Sequence, residues 1–139
     1  MPFPAYEGLQ FFFKIVIGMA WRQEFAFIDR NTGEAAVWEP GWKGLFVIRD
    51  DGGRQVARLD QDGTAGGADG LVTFADGMVA LDLPAAFTAG LAATTTYVRV
   101  TNKPFLFGDL TLTDPTAPTE PYLAASGKGI SYLPTTIGA

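Results

Sequence analysis

The sequence predicts an all-β domain, an antiparallel β-sandwich of roughly eight strands with one short helical turn and an extended C-terminal arm. Charged residues are only 18% of the chain while 17 Gly and 11 Phe are spread along it, a balance that suits many short strands joined by tight turns. β-branched and aromatic residues gather in short runs, several of them with the two-residue period of a half-buried strand. Pro-Gly and Asp-Gly pairs punctuate those runs. A length of 139 residues with a 47% hydrophobic fraction fits one packed domain.

The elements follow in chain order. Leu9 to Ile17 is mostly β-branched or aromatic and predicts a largely buried strand that Gly18 ends. Trp21 to Asp29 predicts a second strand, with Trp21, Phe25 and Phe27 on one face, and Asp29-Arg30-Asn31-Thr32-Gly33 turns the chain. Glu34 to Gly44 holds Trp38 and Trp42 around Pro40-Gly41 and reads as a loop that packs. Leu45 to Ile48 and Arg54 to Leu59 flank Arg49-Asp50-Asp51-Gly52-Gly53, the pattern of a hairpin. Gln61 to Gly70 is rich in Gly, Ala and Asp and predicts a mobile surface loop.

A second hairpin joins Leu71–Ala75 to Met78–Leu83 through Asp76-Gly77, and the alternation of Val79, Leu81 and Leu83 with Asp82 sets which face is buried. Pro84 to Leu91 reads as one helical turn opened by proline and closed by Gly90. Strands are expected at Thr94 to Thr101 and Phe105 to Thr113, with Asn102-Lys103-Pro104 between them. Beyond Asp114, Pro115, Pro118, Pro121 and Pro134 argue against a central strand, while Tyr122, Leu123, Ile130, Tyr132, Leu133 and Ile137 are too apolar for an inert linker. The expected division is an N-terminal extension over 1–8, the sandwich over 9–113, and a docking arm over 114–139. On that reading, removing the arm leaves the domain's stability unchanged and abolishes assembly.

Composition narrows the chemistry. With no Cys and no His, disulfides, thiolate or imidazole metal ligands and histidine-based catalytic triads are all excluded from this chain. A net charge of −5 with scattered Lys and Arg argues against a nucleic-acid partner. The apolar run Leu9 to Trp21 is broken by Lys14 and is shorter than the roughly 20 residues of a spanning helix, so no membrane span is expected. Met1-Pro2-Phe3-Pro4 lacks the basic start of a secretory signal, which points to synthesis in the cytoplasm.

Residue type and spacing also bound the candidate sites. Asp60-Gln61-Asp62-Gly63 with Asp69 has the carboxylate density of a calcium loop but not its ordered ligand series, and turn geometry accounts for these residues. No metal and no cofactor is expected. Asp50 and Asp51 are adjacent in a turn rather than facing across a cleft, so they do not form a glycosidase pair, and a turn so exposed is expected to leave their pKa values alone. Trp38 and Trp42 could stack on a sugar or a partner, or cap the core. Together with Tyr122, Leu123, Tyr132 and Leu133 of the arm they are the expected partner-binding residues.

The order of these elements resembles that of small bacteriophage β-sandwich domains. The residues that carry it are Leu45-Phe46-Val47-Ile48-Arg49-Asp50-Asp51-Gly52, Asp76-Gly77-Met78-Val79-Ala80-Leu81-Asp82-Leu83-Pro84, Thr96-Tyr97-Val98-Arg99-Val100 and Gly108-Asp109-Leu110-Thr111-Leu112. Over about residues 9 to 113 the chain is similar to the LtfC-type domain of phages of actinobacteria and to the N-terminal domain of upper baseplate proteins. The resemblance implies a non-enzymatic virion component of the tail tip, baseplate or fibre-attachment region, made in the host cytoplasm and docked to other virion proteins as part of an oligomer. It supplies no catalytic residue. Alternative readings are a carbohydrate-binding module using exposed tryptophans, and a capsid or neck decoration protein.

Overall fold

The computed structural model of the chain describes residues 9–93, 95–96 and 106–133. The expected extension over 1–8, most of the expected strand Thr94 to Thr101, the turn after it, and residues past Leu133 lie outside that set. The described residues are mainly β, as predicted. The strands are β1 (Leu9–Val16), β2 (Trp21–Ala26), β3 (Lys43–Asp50), β4 (Gln55–Asp60), β5 (Gly70–Ala75), β6 (Met78–Leu83), β7 (Thr95–Thr96), β8 (Leu106–Thr113) and β9 (Tyr122–Leu133). A 3₁₀ turn spans Gly63–Gly66 and one helical turn spans Ala85–Thr88. None of the described helices is long and apolar enough to cross a membrane.

The strands form one mixed sheet in the order β1-β9-β8-β3-β4-β5-β6-β2, with the short β7 beside the end of β9. This sheet curls until its edge strands approach: Phe13 of β1 lies 5.7 Å from Trp21 of β2, and Phe11 lies 4.9 Å from Phe25. The two facing layers expected of a sandwich are therefore two parts of one sheet, nearly closed into a barrel. It is also not wholly antiparallel, because β1–β9, β7–β9 and β4–β5 run parallel. No hairpin turn dictates orientation at these places: β1 and β9 come from opposite ends of the chain, and β4 reaches β5 through the 3₁₀ turn.

The C-terminal arm is the main correction. Tyr122–Leu133 is the longest of the described strands and lies between β1 and β8, with Leu9 paired to Ala125 on one side and Leu110 on the other. Pro115, Pro118 and Pro121 precede it and Pro134 follows it, so no proline removes a ladder hydrogen bond inside it. The sheet therefore continues to Leu133, and residues 9–113 lack one of its central strands.

The interior shows why β9 fits there. Phe11 pairs with Gly127 and Phe13 with Gly129, and a Cβ on either glycine would meet the opposing ring at 2.6 and 2.5 Å. Gly108 of β8 likewise lies under the ring of Phe46. Large rings on β1 and β3 thus occupy the space that side chains on β8 and β9 leave open, and they pack closely against bare backbone. Phe46, Ile48, Leu59, Leu81, Leu110 and Leu112 are fully buried around them.

Both hairpins form as read. Asp76-Gly77 is a two-residue loop with Gly77 at φ 72°, a conformation glycine adopts without cost. Val79, Leu81 and Leu83 are all buried, on the predicted face. The helical turn Ala85–Thr88 is pinned to the β1–β2 turn by Thr88, whose hydroxyl donates to the Met19 carbonyl at 2.7 Å and accepts from the Gly18 N–H. The stretch Gln61 to Gly70, expected to be an unanchored loop, is tied down instead. Asp69 accepts from the Arg58 N–H and donates its own N–H to the Arg58 carbonyl, and Ala68 is buried.

Candidate functional site

The strongest concentration of sequence-predicted site residues is at the end of the barrel where β2 and β6 meet the tryptophan loop. After β2 the backbone continues through Phe27, and Ile28 bridges to Ala35 across the Asp29–Glu34 turn. Phe27 N–H donates to the Gly77 carbonyl, Gly77 N–H to Ala36, and Ala36 N–H to Phe27, so the loop clasps the tip of the β5–β6 hairpin. Trp38 then lies over that hairpin and donates its indole N–H to the Met78 carbonyl at 3.1 Å.

The rings pack edge to face. Trp38 meets Trp42 at 4.9 Å, Phe74 at 5.1 Å and Phe27 at 5.5 Å, geometries that complement the ring quadrupoles. Trp42 is 7% exposed and belongs to the core, and Trp38 is half-buried against it. Both rings are thus engaged by aromatic neighbours, and Trp42 is enclosed in the core. A shallow recess of about 310 Å³ beside them is lined by Asp29, Val37, Glu39, Trp42, Asp114 and Thr116. Asp114 is buried there, and its carboxylate accepts from the backbone N–H and the hydroxyl of Thr116, both at 2.8 Å.

The other expected partner-binding residues divide between two places. Tyr122 and Leu123 begin β9 at this same end and are half-buried, since Tyr122 pairs with Leu112, whose other neighbour is Gly44 next to Trp42 and Lys43. Tyr132 and Leu133 are at the far end of the same strand, opposite Val16 and β7. The six residues therefore do not form one surface.

The carboxylates singled out in the sequence serve turns. Asp60 is buried; it accepts from the backbone N–H groups of Asp62 and Gly63 and pairs with the Arg58 guanidinium at 2.8 Å. Asp50 accepts from the N–H groups of Arg54 and Gly52 in the β3–β4 turn. The Arg54 N–H acts most strongly and, together with the Gly52 N–H and the Arg54 charge, outweighs the opposing effect of desolvation, so the Asp50 carboxyl is held below its ordinary pKa. The expectation of no shift in this turn is thus corrected, and the direction disfavours a role as general acid. Among the described residues no group of three or more Asp or Glu is placed to hold a metal ion.

Sequence reasoning missed an outward row of side chains on the opposite half of the barrel. Phe12 alternates with the inward Phe11 and Phe13, and lies opposite Lys128, which lies opposite Phe107. The two-residue period marked Phe12 as outward, but the row could not be assembled without β9. No protein-family model matches the chain, and no curated protein matches its sequence.

Proposed function

We propose that the chain is a non-enzymatic structural protein of a bacteriophage virion, a component of the tail tip, baseplate or fibre-attachment region that docks to other virion proteins. The observation that carries this reading is a closed aromatic core with large apolar side chains left outside it: Phe12, Ile28 and Val37 are 53%, 60% and 71% exposed. Exposed apolar groups of this size are what a docking surface provides. The strand-and-turn order that resembles phage β-sandwich domains supplies the kind of assembly. Docking is assigned to the outer surface of the barrel, because the segment expected to be an arm is built into the sheet.

The carboxylates' engagement in turns supports a non-enzymatic role, and the packing of Trp38 and Trp42 weighs against the sugar-platform alternative. Mass spectrometry of purified phage particles, set beside the lysate that yields them, tests the reading. The chain is expected in the particle at a fixed ratio to other tail proteins. Its presence in the lysate with absence from the particle would overturn the proposal.

A further inference from the structure

Two surface patches differ in charge but share a design. On the outside of β1, β9, β8 and β3, register places Phe12, Lys128, Phe107 and Arg49 in one row across four adjacent strands, a span of about 14 Å at ordinary strand spacing. Lys14 stands two residues along β1 from Phe12, on the same outer face. Phe12 and Phe107 are 53% and 39% exposed. Among the described residues Arg22, Arg54 and Arg58 each hold an ion pair, whereas Lys14, Lys128 and Arg49 hold none. Asp109, two residues along β8 from Phe107, is an exposed acid on the same face and accepts from the Ser126 hydroxyl, so the face is cationic in balance, and partly aromatic, on a chain whose net charge is −5.

The second patch is the outer edge of the tryptophan loop. Ile28 and Val37 are exposed there, and Asp29, Glu34 and Glu39 carry negative charge against the single cation Arg30. The registers put the patches apart. Arg49 and Phe107 pair near the β3–β4 turn, while the loop clasps Gly77 at the opposite end of the barrel, beyond β6. One molecule cannot bring its own two patches together without unfolding.

We propose that the chain associates with a second copy of itself head to tail, the Phe12–Lys128–Phe107–Arg49 face of one molecule seating on the Ile28–Val37 acidic edge of the next. Opposite charges set the orientation, and the apolar pairs at the two centres supply the buried area. Like-charged faces repel, so a two-fold dimer through either patch alone is disfavoured. A contact between two different patches repeats, and it closes into a ring or continues as a filament according to the rotation per step. This deepens the assembly reading above and rests on it for the relevance of a second copy. Its test uses the purified chain alone, so a failure here is separate from absence from a particle.

The experiment is sedimentation velocity of the full chain over a range of concentrations, at low salt and at about 0.5 M salt, which shortens the Debye length to a few ångströms. The wild type is expected to form species larger than a monomer at low salt and to dissociate in high salt. The double reversal Lys14→Glu with Lys128→Glu, and separately Glu34→Lys with Glu39→Lys, is each expected to weaken association about a hundredfold. An equimolar mixture of the two variants restores complementary contacts and is expected to reassemble. Circular dichroism melts verify folding, and Phe12→Ser reads the same face if the lysine reversals unfold the chain. A monomeric wild type at low salt, association blocked by one reversal and untouched by the other, or a mixture that stays monomeric would overturn the proposal.

Discussion

The two halves of the barrel are assembled by different means. From β3 to β6 the chain makes two hairpins whose turns fix their own register, Asp50–Arg54 in one and Asp76-Gly77 in the other. In the half made of β1, β9 and β8, β9 follows β8 in the chain and pairs back on it, but its other side is held by pairing with β1 between residues more than a hundred positions apart, with Leu9 beside Ala125 and Val16 beside Tyr132. In the first half, local turn chemistry and side-chain alternation carry the information. In the second it lies in a size match between strands, where Phe11 and Phe13 of β1 cover Gly127 and Gly129 of β9. Near-closure of the barrel depends on both.

The largest effect that could break this contrast is removal of β9. Truncation before Pro115 strips the partner from β1 and one partner from β8, and uncovers Phe11 and Phe13. Loss of cooperative thermal unfolding, followed by circular dichroism, is the expected result; an unchanged melt would return the segment to the status of an arm. Within the local half, Leu81→Ala removes a fully buried side chain and is expected to cost about 2–5 kcal/mol in denaturant titration. A loss under about 0.5 kcal/mol, the range of neutral surface changes, would reject its burial.

Gly129→Ala sharpens the contrast from the other side. Its new methyl would meet both the ring and the carbonyl of Phe13 at 2.5 Å, and backbone cannot move aside as a flexible side chain can. A cost of about 1–3 kcal/mol is expected, the range for an overpacked core. A neutral or stabilising result would show that β1 and β9 are not in this register.

The smallest effect concerns the local turn. Because the Asp50 carboxyl is held below its ordinary value by the Arg54 N–H first and the Gly52 N–H after it, its charged form is favoured in the folded state. That contribution is fully present above the unfolded carboxylate value of about 3.9 and is lost as pH falls through the lower folded value. Asp50→Asn is therefore expected to be less stable than wild type at neutral pH, with the gap narrowing in acid. A gap of constant size from neutral to strongly acidic pH would contradict the assigned turn.

What was legible in the sequence follows the same division. The hairpins, the burial of Val79, Leu81 and Leu83, and the packing role of the tryptophan loop could be read because each depends on neighbours in sequence. β9 could not, since its buried positions include Ala125, Gly127, Gly129 and Ser131, too small or polar to give an apolar signal. Their interior volume is supplied in part by phenylalanines on β1. The flanking prolines then pointed away from a strand, although they only bound it. Likewise the loop after β4 looked unanchored because its anchors are backbone contacts of Asp69 and Asp60 rather than apolar side chains.

The surface was less legible than the core. Trp38 and Trp42 attract attention by type, yet they are largely committed to packing, while Phe12 and Phe107 draw little notice alone and share a row only once β9 separates their strands. A docking face made of cross-strand neighbours exists only through the pairing that builds it. The assignment of β9 therefore underlies both the account of the fold and the proposed head-to-tail contact.

Hydrogen exchange of the full chain, resolved by peptide, tests that assignment most directly. Amides of Tyr122–Leu133 hydrogen-bonded to β1 and β8 are expected to exchange as slowly as those of β3, opening only with the whole sheet. Complete exchange of this segment on the timescale of an unfolded peptide, while β3 stays protected, would show that it is a free arm and contradict the account.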